Sequence, residues 1–100
     1  MKRGDNMSNT YKASKRDGVK YLSCNGFDIG TAPLMNWGWY GGGCVFTAMT
    51  ILEREFGPKT AAHYCYGLAR VLATYPEEGF FLTSGMIDFI LRQLESECPT

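Results

Sequence analysis

The stretch Thr10-Tyr11-Lys12-Ala13-Ser14-Lys15-Arg16-Asp17-Gly18-Val19-Lys20-Tyr21-Leu22-Ser23-Cys24-Asn25-Gly26-Phe27-Asp28-Ile29 decides the fold. Asp17-Gly18 stands between two short strand-like runs, Thr10 to Lys15 and Val19 to Cys24. Asp-Gly there is a strong hairpin signal, because both central turn positions need positive φ. Asn25-Gly26 repeats the signal and turns the chain into a third, brief strand at Phe27-Asp28-Ile29. An antiparallel meander is therefore expected in the first thirty residues.

Further along, the pattern changes. From Cys44, the residues Val45, Ala48, Met49, Leu52 and Phe56 recur at helical steps, with Glu53, Arg54 and Glu55 placed where the helix reaches solvent. Gly57-Pro58 ends this helix and opens a second one to about Thr74, since glycine suits a C-terminal cap and proline a first turn. Its inward stripe is Ala61, Tyr64, Cys65, Leu68 and Leu72. After the turn Tyr75-Pro76-Glu77-Glu78-Gly79, Phe80-Phe81-Leu82 either adds a fourth short strand or plugs the core. Thr83 or Ser84 then caps a last helix, with Met86, Ile87, Ile90, Leu91 and Leu94 facing inward and Asp88 in its first turn. The expected fold class is α+β: a small antiparallel sheet, an N-terminal hairpin or meander, packed by three helices. Residues 1–9 are expected to be a flexible extension and residues 10–97 a single domain.

Composition bounds what such a domain can do. With 45% hydrophobic and 20% charged residues in 100, a packed core is expected rather than a disordered chain. Ten basic and ten acidic residues cancel. Lys2, Arg3, Lys12, Lys15, Arg16 and Lys20 make the beginning basic, while Asp88, Glu95 and Glu97 leave the end acidic. A solvated tail and strand edge explains that asymmetry better than direct nucleic-acid binding does. No apolar run approaches the ~20 residues that span a bilayer, and the opening lacks the apolar core of a secretory signal. The chain reads as cytoplasmic, with Met7 an alternative start. Cys24, Cys44, Cys65 and Cys98 contain no Cys-x-x-Cys pair, so reduced thiols are expected, Cys65 buried and Cys98 exposed, with no metal site and no cofactor.

The candidate site is Trp37-Gly38-Trp39-Tyr40-Gly41-Gly42-Gly43-Cys44. Flexible connectors lack tryptophan, so aromatics beside glycines at a helix start mark either a crossing point packed on the core or a binding site. As a binding site, Trp37, Trp39 and Tyr40 would meet a protein partner, aromatic side chains being prominent among interface hot spots. Alternatively the amides of Gly41, Gly42 and Gly43 would hold a phosphate at the helix N-terminus while the rings stack a nucleobase. No Gly-Lys-Ser/Thr ending follows, and no Gly-x-Gly-x-x-Gly is present, so neither phosphate fingerprint applies. Cys44 at a helix start with His63, the one imidazole, is a weak nucleophile pair, because nothing is placed to orient the ring. Glu53 and Glu55 point apart on their helix, and no acid–base pair is specified. A non-enzymatic binding protein is the expectation.

These pieces, in order, resemble a family of small, functionally uncharacterised proteins of bacteria, phages and plasmids, marked by a Trp-Gly-Tyr-Gly-Gly-Ser-Gly-Pro segment running into an Ala/Leu-rich helix. The matching residues are Trp37, Gly38, Trp39, Gly41 and Gly43, with Ile51-Leu52 closing the helix pattern. Tyr11, Arg16-Asp17-Gly18, Asn25-Gly26, Ala61, Tyr64, Tyr75-Pro76 and Leu82-Thr83 follow the same layout. Tyr40, Gly42 and Cys44 depart from it, standing where glycine, serine and proline are usual. The resemblance implies a mobile-element origin and no reaction. Proteins of that kind commonly occupy a host or phage protein surface, and inhibition of a bacterial defence system such as CRISPR is the instance expected here.

Overall fold

The computed structural model describes residues 8–97. The proposed start at Met7 and Cys98, expected to be exposed, lie outside the described residues, as does most of the expected extension. Strands β1 (Thr10–Arg16), β2 (Val19–Cys24) and β3 (Phe27–Thr31) form the meander; helices α1 (Gly42–Phe56) and α2 (Pro58–Leu72) follow, then β4 (Gly79–Thr83) and α3 (Ser84–Glu97). All pairings are antiparallel and the strand order is β3-β2-β1-β4. The fold is α+β as expected. Phe80-Phe81-Leu82 pairs with β1 as a strand, at the edge opposite β3.

Both hairpins obey turn chemistry. Asp17 (φ 53°) with Gly18 (φ 80°), and Asn25 (φ 54°) with Gly26 (φ 90°), adopt the double positive φ that matches the twist of two-residue hairpins. Register then assigns the faces. Leu82, Tyr11 and Cys24 stand side by side across three strands, and Phe80, Ala13 and Leu22 form the next row. These inward rows meet Cys44, Ala48, Ile51 and Leu52 of α1, Ala61, Cys65, Leu68, Ala69 and Leu72 of α2, and Ile87 and Leu91 of α3 in one core. The opposite sheet face carries Lys12, Arg16 and Phe81 and is exposed.

Three details differ from the expected stripes. The buried face of α1 is turned so that Thr47, Ile51 and Glu55 lie inside, while Val45, Met49 and Phe56 pack at its margin. Met86 is exposed on α3. Asp88 falls outside the first turn of α3, because Thr83 caps the helix directly, its hydroxyl accepting from the Met86 amide (3.2 Å).

A buried carboxylate ties the chain's beginning to α1. Glu55 is buried, and its Oε2 accepts from the Tyr11 hydroxyl (2.7 Å) and from Asn9 Nδ2 (2.5 Å). Asn9 also donates its amide to Ser84 Oγ (2.8 Å), and its carbonyl accepts from the Ser84 amide (3.0 Å). The ordered domain thus includes Asn9, one residue earlier than the strand pattern suggests.

Burial, reinforced by the Glu55 carboxylate, pushes the Tyr11 phenol well above its usual range. A tyrosine in the unfolded chain titrates near 10, so the stability due to Tyr11 is complete below that pH and is lost as pH rises above it. Urea midpoints measured from pH 7 to 11 should therefore fall beyond about pH 10. In Tyr11→Phe the alkaline slope should be shallower, and the neutral-pH stability should drop by about 1.5–3 kcal/mol because Glu55 loses a donor. Equal alkaline slopes in the two proteins would contradict this assignment.

Candidate functional site

The segment from Ala32 to Gly41 crosses from the sheet to α1, and a buried lysine holds it. In β2 the inward positions are Lys20, Leu22 and Cys24, so strand alternation carries a cation under the loop. Lys20 is 8% exposed. Its Nζ donates to Asn36 Oδ1 (2.6 Å) and to the Trp37 carbonyl (2.9 Å), lies 5.1 Å from the Trp37 ring centroid, and is 3.6 Å from Glu77 Oε1. Its backbone carbonyl accepts from the Ala32 amide and the Thr31 hydroxyl. An ammonium with this many oriented acceptors can be buried without an orphaned charge.

Asn36 is the second node. Besides accepting from Lys20, Oδ1 accepts from the Trp37 amide (2.9 Å). The Asn36 amide points to the Thr47 hydroxyl (3.0 Å) and the Gly43 carbonyl (3.2 Å). Thr47, buried on α1, has its hydroxyl 2.8 Å from the Gly43 carbonyl and 3.0 Å from the Asn36 carbonyl. This contact needs a glycine, since a Cβ on Gly43 would stand 2.8 Å from that of Asn36.

The two tryptophans then part. Trp37 is fully buried, stacked edge-on to Phe80 (centroids 5.5 Å apart), and its Nε1 donates to the Glu77 carbonyl (3.1 Å). This corrects the expectation that Trp37 is displayed for a partner: its ring belongs to the core. The Gly38 amide donates to the Leu72 carbonyl at the end of α2 (3.1 Å). Past that tie the chain emerges, and Trp39 is 55% and Tyr40 47% exposed. The Trp39 indole lies across Gly41, where a Cβ would collide with its six-membered ring. Leu34, 64% exposed, belongs to the same crossing segment, and Phe46, also exposed, is on the first turns of α1.

The three glycines therefore have different duties. Gly41 is the seat of an indole and the N-cap of α1, where no side chain caps the helix. Gly42 faces open space, and Gly43 is packed against Asn36. Only Gly42 is free of these packing duties, and the amides of Gly42 and Gly43 are first-turn donors without an intrahelical acceptor.

Cys44 is buried, its thiol 3.1 Å from the Ala69 carbonyl, and desolvation pushes its pKa up. That is the opposite of what a nucleophile at a helix start needs. His63 is exposed on α2 with its ring edge-on to Tyr64. Among the described residues no group of three or more His, Cys, Asp or Glu could hold a metal, and no helix is long and apolar enough to cross a membrane. The chain matches no protein-family model, no curated protein sequence and no solved structure.

Lys20 was not foreseen as part of the site. Its signal is the alternation Lys20-Leu22-Cys24, which puts a residue type ordinarily found at the surface on the inward face of β2. Two measurements follow. Trp37→Ala should cost about 3–5 kcal/mol, as for other large core aromatics, and Lys20→Met about 1–3 kcal/mol through the acceptors it strands; losses under half a kcal/mol in both would refute the nodes described. Cys44 should resist iodoacetamide in the native protein and react once urea unfolds it. Rapid native labelling would contradict the buried placement.

Proposed function

We propose that this chain is a small non-enzymatic binding protein that acts by occupying the surface of another protein with the exposed aromatic corner of Trp39 and Tyr40, seated at Gly41. The observation that carries the reading is Trp39: an indole more than half exposed, yet laid on a glycine at the end of a hydrogen-bonded loop. Ordering a side chain at an interface costs about 0.5–1.5 kcal/mol, and an indole already seated has met much of that cost. Exposed aromatics clustered on a built support are what interface hot spots require, whereas scattered surface aromatics are ordinary. Of the residues first assigned to the site, Trp39, Tyr40 and Gly41 form the contact, Gly42 borders it, and Trp37 and Gly43 support it.

The resemblance to small phage- and plasmid-borne proteins, resting on the Trp37 to Gly43 layout, adds the setting. In that setting the chain is a cytoplasmic mobile-element protein, and the partner is a component of a bacterial defence system such as CRISPR. The test compares tagged wild type with Trp39→Ala in capture from lysates of cells carrying an active CRISPR system, with phage plaquing on the same cells as the functional readout. Capture and plaquing protection should both be lost in Trp39→Ala, while the melting temperature stays within a few degrees, as for surface substitutions. Full capture by Trp39→Ala would contradict the reading. Capture of a partner without plaquing protection would remove the anti-defence setting and leave the interface.

One observation favours a second reading, a nucleotide or phosphate-ligand binder. Arg70 and Tyr40 share a hollow of about 350 Å³ with Ala73, which places a guanidinium beside an aromatic ring near the exposed Gly42. A nucleotide bound there would raise the melting temperature by mass action. A panel of mono-, di- and cyclic nucleotides that leaves it unchanged would sink this alternative.

A further inference from the structure

We infer that the solvent face of α2 is a docking groove for an acidic amphipathic helix of a partner protein, continuous with the aromatic corner; this rests on the partner-binding reading and names the partner's chemistry. Helix α2 contains no Asp or Glu. Its exposed side chains Lys59, His63, Tyr66 and Arg70 follow one another at steps of four, three and four residues, so they make one stripe along the outer face. Among the described residues neither Lys59 nor Arg70 has a carboxylate within salt-bridge distance.

A charged stripe alone would be a solvated face, but this one has relief. Three hollows lie along it: about 280 Å³ beside Lys59 and His63, about 300 Å³ between α2 and α3, and about 350 Å³ between Arg70 and Tyr40. Tyr64, Tyr66 and Leu94 wall the middle hollow, with Gly67 as its floor. A Cβ on Gly67 would lie 2.8 Å from Leu94 Cδ1, so the Leu94 side chain of α3 rests directly on the glycine. Among the described residues Glu95 is the one carboxylate lining these hollows. Its Oε2 is engaged by the Tyr64 hydroxyl (2.6 Å), a bond that pushes the Tyr64 phenol up to about 12. The groove therefore presents positive charge at its two ends, Lys59 and Arg70, with aromatic and aliphatic walls and the tyrosine-bonded Glu95 carboxylate between them, and runs into Tyr40.

The occupant follows from that chemistry. A nucleic-acid strand carries a phosphate at every nucleotide and favours an unbroken row of cations. Lys59 and Arg70 instead stand eleven residues apart, about 16 Å along the helix, with apolar hollows between them. A helix laid in the groove, with carboxylates recurring at that spacing and apolar side chains entering the hollows, satisfies both features.

The test is selection of a displayed library of random peptides of about 18 residues, roughly five helical turns, against the full chain. The winners' affinities are then measured by fluorescence anisotropy on wild type, on the double variant Lys59→Glu/Arg70→Glu, and on Trp39→Ala. Winners should be acidic and amphipathic, and the double variant should weaken them at least about tenfold, as expected for reversed charge pairs, with an unchanged melting temperature. Failure to select binders, winners without acidic enrichment, or winners indifferent to the charge reversal would overturn the inference. So would a single-stranded oligothymidylate that binds as tightly as the winners and is lost in the same double variant, since it would reassign the face to nucleic acid. Winners lost only in Trp39→Ala would keep the aromatic corner and remove the groove; winners lost only in the double variant would keep the groove and remove the corner.

Discussion

The ammonium of Lys20 is the constraint on which the exposed corner depends. It is carried inward by the period of a β-strand and meets the Asn36 side chain and the Trp37 carbonyl at 2.6 and 2.9 Å. A ten-residue crossing with no regular structure would otherwise be a mobile tether. With its turns pinned to β2 on one side and to Thr47 of α1 on the other, it becomes a surface of fixed shape. Buried polar groups of this kind are costly when half satisfied and specify one arrangement when fully satisfied. Among the described residues every buried side-chain nitrogen and oxygen has a partner.

From that node the two tryptophans acquire opposite roles although a single residue separates them. Trp37 is pulled into the space bounded by Lys20, Phe80 and the turn after α2, and Gly38 is tied to the last turn of that helix. Trp39 is then beyond the core's reach and rests on Gly41. One ring stabilises the loop and the other is displayed by it. A partner that grips Trp39 would thus be gripping a feature braced through the sheet and two helices, which keeps the cost of ordering on binding low.

Much of this architecture was legible in the residues. Asp17-Gly18 and Asn25-Gly26 specified both hairpins through a conformational demand that few residues satisfy, and Gly57-Pro58 marked the helix junction for a similar reason. What escaped was the burial of charged and polar groups. Glu55 reads as the solvent end of α1 and is instead the acceptor for Tyr11 and Asn9; Lys20 reads as part of a basic arm. Both belong to contacts between elements far apart in sequence, which no local period reports. The split between Trp37 and Trp39 was equally hidden, because an irregular loop has no repeat from which to infer facing. The sequence marked the inward stripe of α2 and not the outer one, whose hollows depend on where α3 lies.

The central claim is that the corner is pre-shaped, with one indole inside and one outside. The most direct measurement is ¹⁹F NMR of the chain labelled with 5-fluorotryptophan, its two signals assigned through Trp39→Phe, recorded in H₂O and in D₂O. The account predicts one resonance with no solvent isotope shift, from Trp37, and one sharp resonance with a clear shift, from Trp39 held in a single exposed conformation. Two solvent-sensitive signals, or a Trp39 resonance split or broadened by exchange, would contradict it.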